Sequence, residues 1–94
     1  MKKLENSEVK ARLGDLSGWA LDDKGQIAKQ YVLKGFPQAL LFVNSIAHVA
    51  EKLNHHPDID IRWNKVLVAV STHDASGITE KDFSLAKKIE DLFQ

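Results

Sequence analysis

Ninety-four residues, 44% hydrophobic and 28% charged, suffice for one folded domain with one modest core and exclude a disordered chain. Thirteen basic side chains balance thirteen acidic ones, so nothing marks the chain for nucleic acid or a membrane surface; the absence of cysteine excludes disulfides, thiolate zinc sites and cysteine nucleophiles. No apolar run resembles a signal peptide after Met1-Lys2-Lys3 or is long enough to span a bilayer, and a cytoplasmic setting is expected.

The first expected element covers residues 7–13, a helix with Val9 and Leu13 on one face and Gly14 placed for a left-handed C-terminal cap. Trp19-Ala20-Leu21 reads as a short strand and Asp22-Asp23-Lys24-Gly25 as a turn. Residues 27–33 follow as a second strand, with Ile27, Tyr31 and Leu33 on one face and Lys29 between them. These two strands form a hairpin. Pro37 opens a long helix at a position where its missing N–H costs nothing. Its stripe of Ala39, Phe42, Val43, Ile46, Val49, Ala50 and Leu53 recurs at three- and four-residue steps and faces a core. Asn54 and Pro57 end that helix. Ile59, Ile61 and Trp63 alternate with Asp60 and Arg62, Asn64-Lys65 turns the chain, and residues 66–72 return as a strand apolar on both faces, as a central strand is. Thr79 then begins a helix with Asp82 at capping-box spacing, and Phe83, Leu85, Ala86, Ile89 and Leu92 point inward. The order α-β-β-α-β-β-α predicts an α+β fold, a four-stranded antiparallel sheet with three helices on one face and the other face open to a ligand or partner.

Three of the four histidines converge in this plan. His55 and His56 precede the third strand and His73 follows the fourth, so the hairpin between those strands brings all three to one end of the sheet. Imidazoles titrate ordinarily near ~6.5 and exchange protons at neutral pH. A single loop histidine is more often solvated filler than a site, but convergent titratable groups mark sites more often than chance does. His48 points away from the apolar stripe and reads as a surface or interface residue. Three histidines also suit catalytic zinc. Yet neighbours such as His55 and His56 on extended chain point to opposite sides, and no His-x-His or His-x-x-x-His spacing relieves this, so no metal is expected. Asp82 has a structural role available to it as the cap of the last helix, and Glu51 as a solvated acid beside Lys52. Ser71 and Thr72 beside His73 lack the glycines of a nucleophile elbow.

The string Glu51-Lys52-Leu53-Asn54-His55-His56-Pro57, then Asn64-Lys65-Val66, Ser71-Thr72-His73, Gly77, Thr79 and Asp82, resembles the pterin-4a-carbinolamine dehydratase family, also known as the dimerization cofactor of a homeodomain transcription factor. The likeness runs over nearly the whole chain. It implies removal of water from a 4a-hydroxytetrahydropterin to give the quinonoid dihydropterin, without metal or cofactor, in the tetrahydrobiopterin recycling that follows aromatic amino acid hydroxylation. Carried onto this chain, His55, His56 and His73 are the catalytic residues, with Asp82 and Glu51 at the substrate. Trp63 stands where family members often carry tyrosine, and Ile59 where they often carry an aromatic residue; both are expected at the pocket wall. The resemblance also implies dimers joined at sheet edges and, in some members, tetramers through the long helix. Here that helix presents Gln38, Leu41, Ser45, His48 and Lys52, with only Leu41 apolar, so a homodimer is expected. The alternative function is an interaction module serving as a transcriptional cofactor.

Overall fold

The structure, a computed structural model, describes residues 2–93. Its elements run α1 (Asn6–Leu13), β1 (Ala20–Leu21), β2 (Ile27–Val32), α2 (Phe36–Leu53), β3 (Asp58–Arg62), β4 (Lys65–Val70), a 3-10 turn (His73–Ala75) and α3 (Glu80–Leu92). The strands form one antiparallel sheet in the order β1-β2-β4-β3. The expected α+β fold is therefore the observed one, and β4, apolar on both faces, is central.

Register explains which side chains meet. Ile27 pairs with Val70, Lys29 with Val68 and Tyr31 with Val66, while Ile59 and Ile61 flank Val68 and Val66 from the other side. These residues make the inner face. Against it pack Ala39, Phe42, Ile46 and Ala50 of α2, Phe83, Leu85, Ala86 and Ile89 of α3, and Val9 of α1. Each fully buried Ile or Val, such as Ile46 or Val66, contributes roughly 1.5–3 kcal/mol. The outer face carries Gln30, Val32, Asp60, Arg62, Lys65 and Leu67, all exposed. No helix among the described residues is long and apolar enough to cross a membrane.

Lys29, placed by its alternation on the inner face, finds an acid there. Its Nζ donates to Glu90 Oε1 of α3 at 2.7 Å; Trp19 Nε1 donates to the same oxygen at 3.2 Å, and so does the Tyr31 hydroxyl. Burial pushes the Glu90 carboxyl up, but the three donors together outweigh it and hold the group below its ordinary value. Tyr31 moves the other way: burial, reinforced by the Glu90 carboxylate, raises its phenol far above the usual range. The Tyr31 ring also packs edge-on against Phe42, centroids 4.9 Å apart, and lies 4.9 Å from Phe93.

Local expectations fail in three places. Gly14 is right-handed (φ −60°), because α1 unwinds through successive i→i+3 bonds at Gly14, Asp15 and Leu16 before the chain reverses. The left-handed glycine of this segment is Gly18 (φ 85°), where a Cβ would lie 2.8 Å from the Lys29 side chain. The β3–β4 turn falls on Trp63-Asn64, one residue earlier than expected, and puts Trp63 in the left-handed region (φ 54°). Finally, the outer side of α2 is more apolar than its spacing suggests. Phe36 and Leu40 are exposed as well as Leu41.

Candidate active site

The end of α2 fixes the first two histidines. Asn54 takes the left-handed conformation (φ 52°), which asparagine tolerates better than most residues, and the His55 N–H bonds back to the Ala50 carbonyl at 3.1 Å. This helix-ending motif turns the chain sharply before Pro57 and β3. His55 and His56 then diverge, as adjacent residues on extended chain do. His55 Nε2 lies 2.6 Å from Asp82 Oδ1, and His56 Nε2 lies 2.9 Å from Glu51 Oε1. The first pair is enclosed, with the Asp82 side chain 0% and that of His55 12% exposed; the second is open to solvent.

Asp82 serves as the cap and also reaches His55, but its fully buried carboxylate does not line the cleft, where the resemblance places it. Thr79 caps α3: its side chain accepts from Lys81 N–H at 3.2 Å, and Asp82 Oδ2 accepts the Thr79 N–H at 2.9 Å, completing a capping box. The Thr72 hydroxyl donates to the same Oδ2 at 2.8 Å. Cap and site are thus divided between the two oxygens of one carboxylate. A buried carboxylate is tolerated only when hydrogen-bonded throughout, and here Thr72, Thr79 and His55 do this.

His73 is exposed and opens the 3-10 turn after β4. A bridge between Thr72 and Gly77 closes the loop that carries it, with Thr72 N–H to Gly77 O at 2.8 Å. His55, His56 and His73 line one open cleft of about 300 Å³ together with Asn54, Thr72 and Lys81. The convergence argued from the hairpin is therefore present. Of the larger hollows, one of about 460 Å³ between α1 and α3 and one of about 540 Å³ on the outer sheet face hold no histidine, while one of about 440 Å³ shares Ser71, Thr72 and His73 with the cleft and adds Gln26 and Asp58. Among the described residues no three His, Asp or Glu side chains are set to hold one metal ion.

Not every expected site residue joins the cleft. Trp63 sits at the far end of β3, 70% exposed, beside Arg62, Lys65 and Leu67 on the outer sheet face. β3 starts at the histidines and ends at Trp63, so its five residues keep the two apart by roughly 16 Å within one chain. Ile59 lies on the inner face, packed against the core. Lys81 also lines the cleft, as does Thr72, which the sequence offers only as a nucleophile beside His73. The signal for Thr72 is its place one residue before His73 rather than an elbow pattern. Lys81 offered only its position in the first turn of α3.

On fold and chemistry this is an antiparallel α+β protein whose candidate site is suited to moving protons. The comparisons with known proteins name the family: the model for pterin 4 alpha carbinolamine dehydratase matches residues 2–92, and the chain belongs to that family, whose enzyme class is hydro-lyase. A Herpetosiphon aurantiacus protein provisionally named pterin-4-alpha-carbinolamine dehydratase is 54% identical over 93 residues, 99% of this chain and 96% of its own. A similarly named protein of Roseiflexus sp. is 48% identical over 90 residues, 96% of each chain. Among solved structures, a transcriptional coactivator/pterin dehydratase from Brucella melitensis is 35% identical, with a TM-score of 0.92 over 97% of this chain and 98% of that one.

Proposed function

We propose that the protein dehydrates a 4a-hydroxytetrahydropterin by histidine acid–base catalysis without a metal. The supporting observation is the 2.6 Å contact of His55 Nε2 with the buried Asp82 carboxylate, in a cleft shared with His56 and His73. In the reaction the C4a–O bond breaks, the oxygen takes a proton and leaves as water, and N5 gives up its proton as the N5=C4a double bond forms. One base and one acid are required, each contributing roughly 10²–10⁴-fold. An ionised carboxylate only accepts hydrogen bonds, so His55 presents its proton to Asp82 through Nε2 and keeps the Nδ1 lone pair for the substrate. His55 is thus assigned the base, and His56 or His73 supplies the acid. The test is a dehydratase assay on 4a-hydroxytetrahydropterin generated in situ. Turnover above the uncatalysed rate supports the reading, and its absence with folded protein refutes it.

A homodimer belongs to the same proposal. β3 is an edge strand with one side unpaired, open to strand addition by a second copy. Antiparallel pairing of two β3 strands sets Trp63 of one copy toward the His55 end of the other, where the expectation for Trp63 and the histidine cluster meet. Light scattering at micromolar concentration checks it: a monomer contradicts the proposal. A second reading, an interaction module, is favoured by the exposed Phe36, Leu40 and Leu41 on α2 and by the coactivator half of the Brucella protein's title. An inactive protein that binds a partner through this patch would establish it.

A further inference from the structure

Thr72 and Thr79 are buried hydroxyls, 7% and 0% exposed, whose oxygens lie 2.7 Å apart. Donor counting sets the direction of the chain they form. The Thr72 hydroxyl has one proton, and it goes to Asp82 Oδ2 at 2.8 Å. The contact between the two threonines must then be made by the Thr79 proton, while Thr79 Oγ1 accepts the Lys81 N–H. With the Thr79 N–H also on Oδ2, that oxygen is held by two donors and Oδ1 is left to His55. We infer that Thr72 is a positioning residue for His55, acting through Asp82: its hydroxyl fixes the carboxylate orientation that keeps the His55 proton on Nε2 and its lone pair on Nδ1.

The backbone of Thr72 ties this to the other side of the cleft. Its N–H bonds to Gly77 O, and its carbonyl accepts from Ala75 N–H at 3.1 Å, closing the turn on which His73 is carried. One residue therefore anchors two of the three histidines, His55 by its side chain and His73 by its main chain. The inference rests on the cleft being the dehydratase site, but the tautomer of His55 can be measured without turnover.

The experiment combines imidazole ¹⁵N NMR at neutral pH with dehydratase kinetics on the full chain, Thr72→Val and Thr72→Ser. In the unsubstituted protein His55 should appear as the Nε2–H tautomer. Thr72→Val, matched in shape but without the hydroxyl, should mix the tautomers and lower kcat by about 10- to 100-fold with KM little changed, as a misaimed base does. Thr72→Ser, which keeps the hydroxyl, should restore both. A packing role alone would leave the tautomer of Thr72→Val unmoved, and that result overturns the inference. An Nδ1–H tautomer in the unsubstituted protein, or a mixed tautomer in Thr72→Ser, overturns it even where Thr72→Val does not fold. If the protein proves inactive while Thr72→Val still shifts the tautomer, the positioning role stands and the dehydratase reading falls.

Discussion

Replacing Asp82 by Asn changes one atom of the site and separates its two roles. The amide keeps its oxygen where two donors already point, the Thr72 hydroxyl and the Thr79 N–H, and so turns its NH₂ toward His55. A donor now faces Nε2, the imidazole proton is driven to Nδ1, and the lone pair required of the base is lost. Losing one acid–base group costs roughly 10²–10⁴-fold in kcat, or about 3–5 kcal/mol of transition-state stabilisation. The fold loses less. Hydrogen bonds to a charged group are worth ~1.5–3 kcal/mol against ~0.5–1.5 for neutral ones, and a neutral amide is cheaper to bury, so a net loss of about 2 kcal/mol is expected. At ~4–8 °C per kcal/mol for a domain of this size, Asp82→Asn should melt about 8–16 °C lower and remain folded at 25 °C. Thermal melts followed by circular dichroism, with dehydratase kinetics at 25 °C, test both figures. A folded Asp82→Asn protein with a near-native kcat would refute the argument, since His55 would then need no carboxylate to act.

Single replacements of His55, His56 and His73 by Ala should each preserve the fold and lower the dehydration rate, by roughly 10²-fold or more for the principal acid or base, while His48→Ala changes neither rate nor pterin affinity. The double variant of His55 and His73 should cost less than the product of the singles if both serve one proton transfer. Tyr31→Phe keeps the ring against Phe42 and Phe93 but removes one donor from Glu90, and should cost about 1.5–3 kcal/mol in denaturant unfolding with activity unchanged. The same network sets two limbs of stability against pH. The Glu90 carboxyl, held low by its donors against burial, contributes stability present above its ordinary 4.5 and lost as pH falls, so Glu90→Gln should flatten the acid limb. The Tyr31 phenol, raised first by burial and then by Glu90, contributes stability present below its ordinary 10.0 and lost above it, so Tyr31→Phe should flatten the alkaline limb. Prolonged treatment with a chelator should leave activity intact; loss restored by zinc would replace acid–base chemistry with a metal site.

Periodicity made most of the fold legible, because each element carries its own record of what it faces. The α2 stripe and the two-faced β4 can be read without knowing their partners. What sequence hides is which polar groups meet across elements. Lys29 and Glu90 lie 61 residues apart and neither position is unusual by itself, yet together with Tyr31 and Trp19 they fasten α3 to the sheet. Trp63 shows the same limit from the other side. The resemblance puts it at the pocket wall, but β3 runs away from the histidines, so within one chain it stands apart from them. The exposed Phe36 and Leu40 were hidden in the same way, since a helical stripe tells which residues face the core and not which apolar residues beside it stay uncovered.

Asp82 marks the boundary between the two kinds of information. The Thr79–Asp82 spacing predicts a cap, and a cap occupies one oxygen of the carboxylate. The second oxygen must find another donor once α3 is packed, because a buried carboxylate with a free lone-pair edge is costly. Topology decides which donor that is: the hairpin between β3 and β4 and the Asn54 turn at the end of α2 deliver His55 to it. The candidate catalytic pair therefore grows out of an ordinary helix cap. The cap fixes the carboxylate, and its second oxygen fixes the imidazole beside the cleft without any residue being held there for that purpose alone.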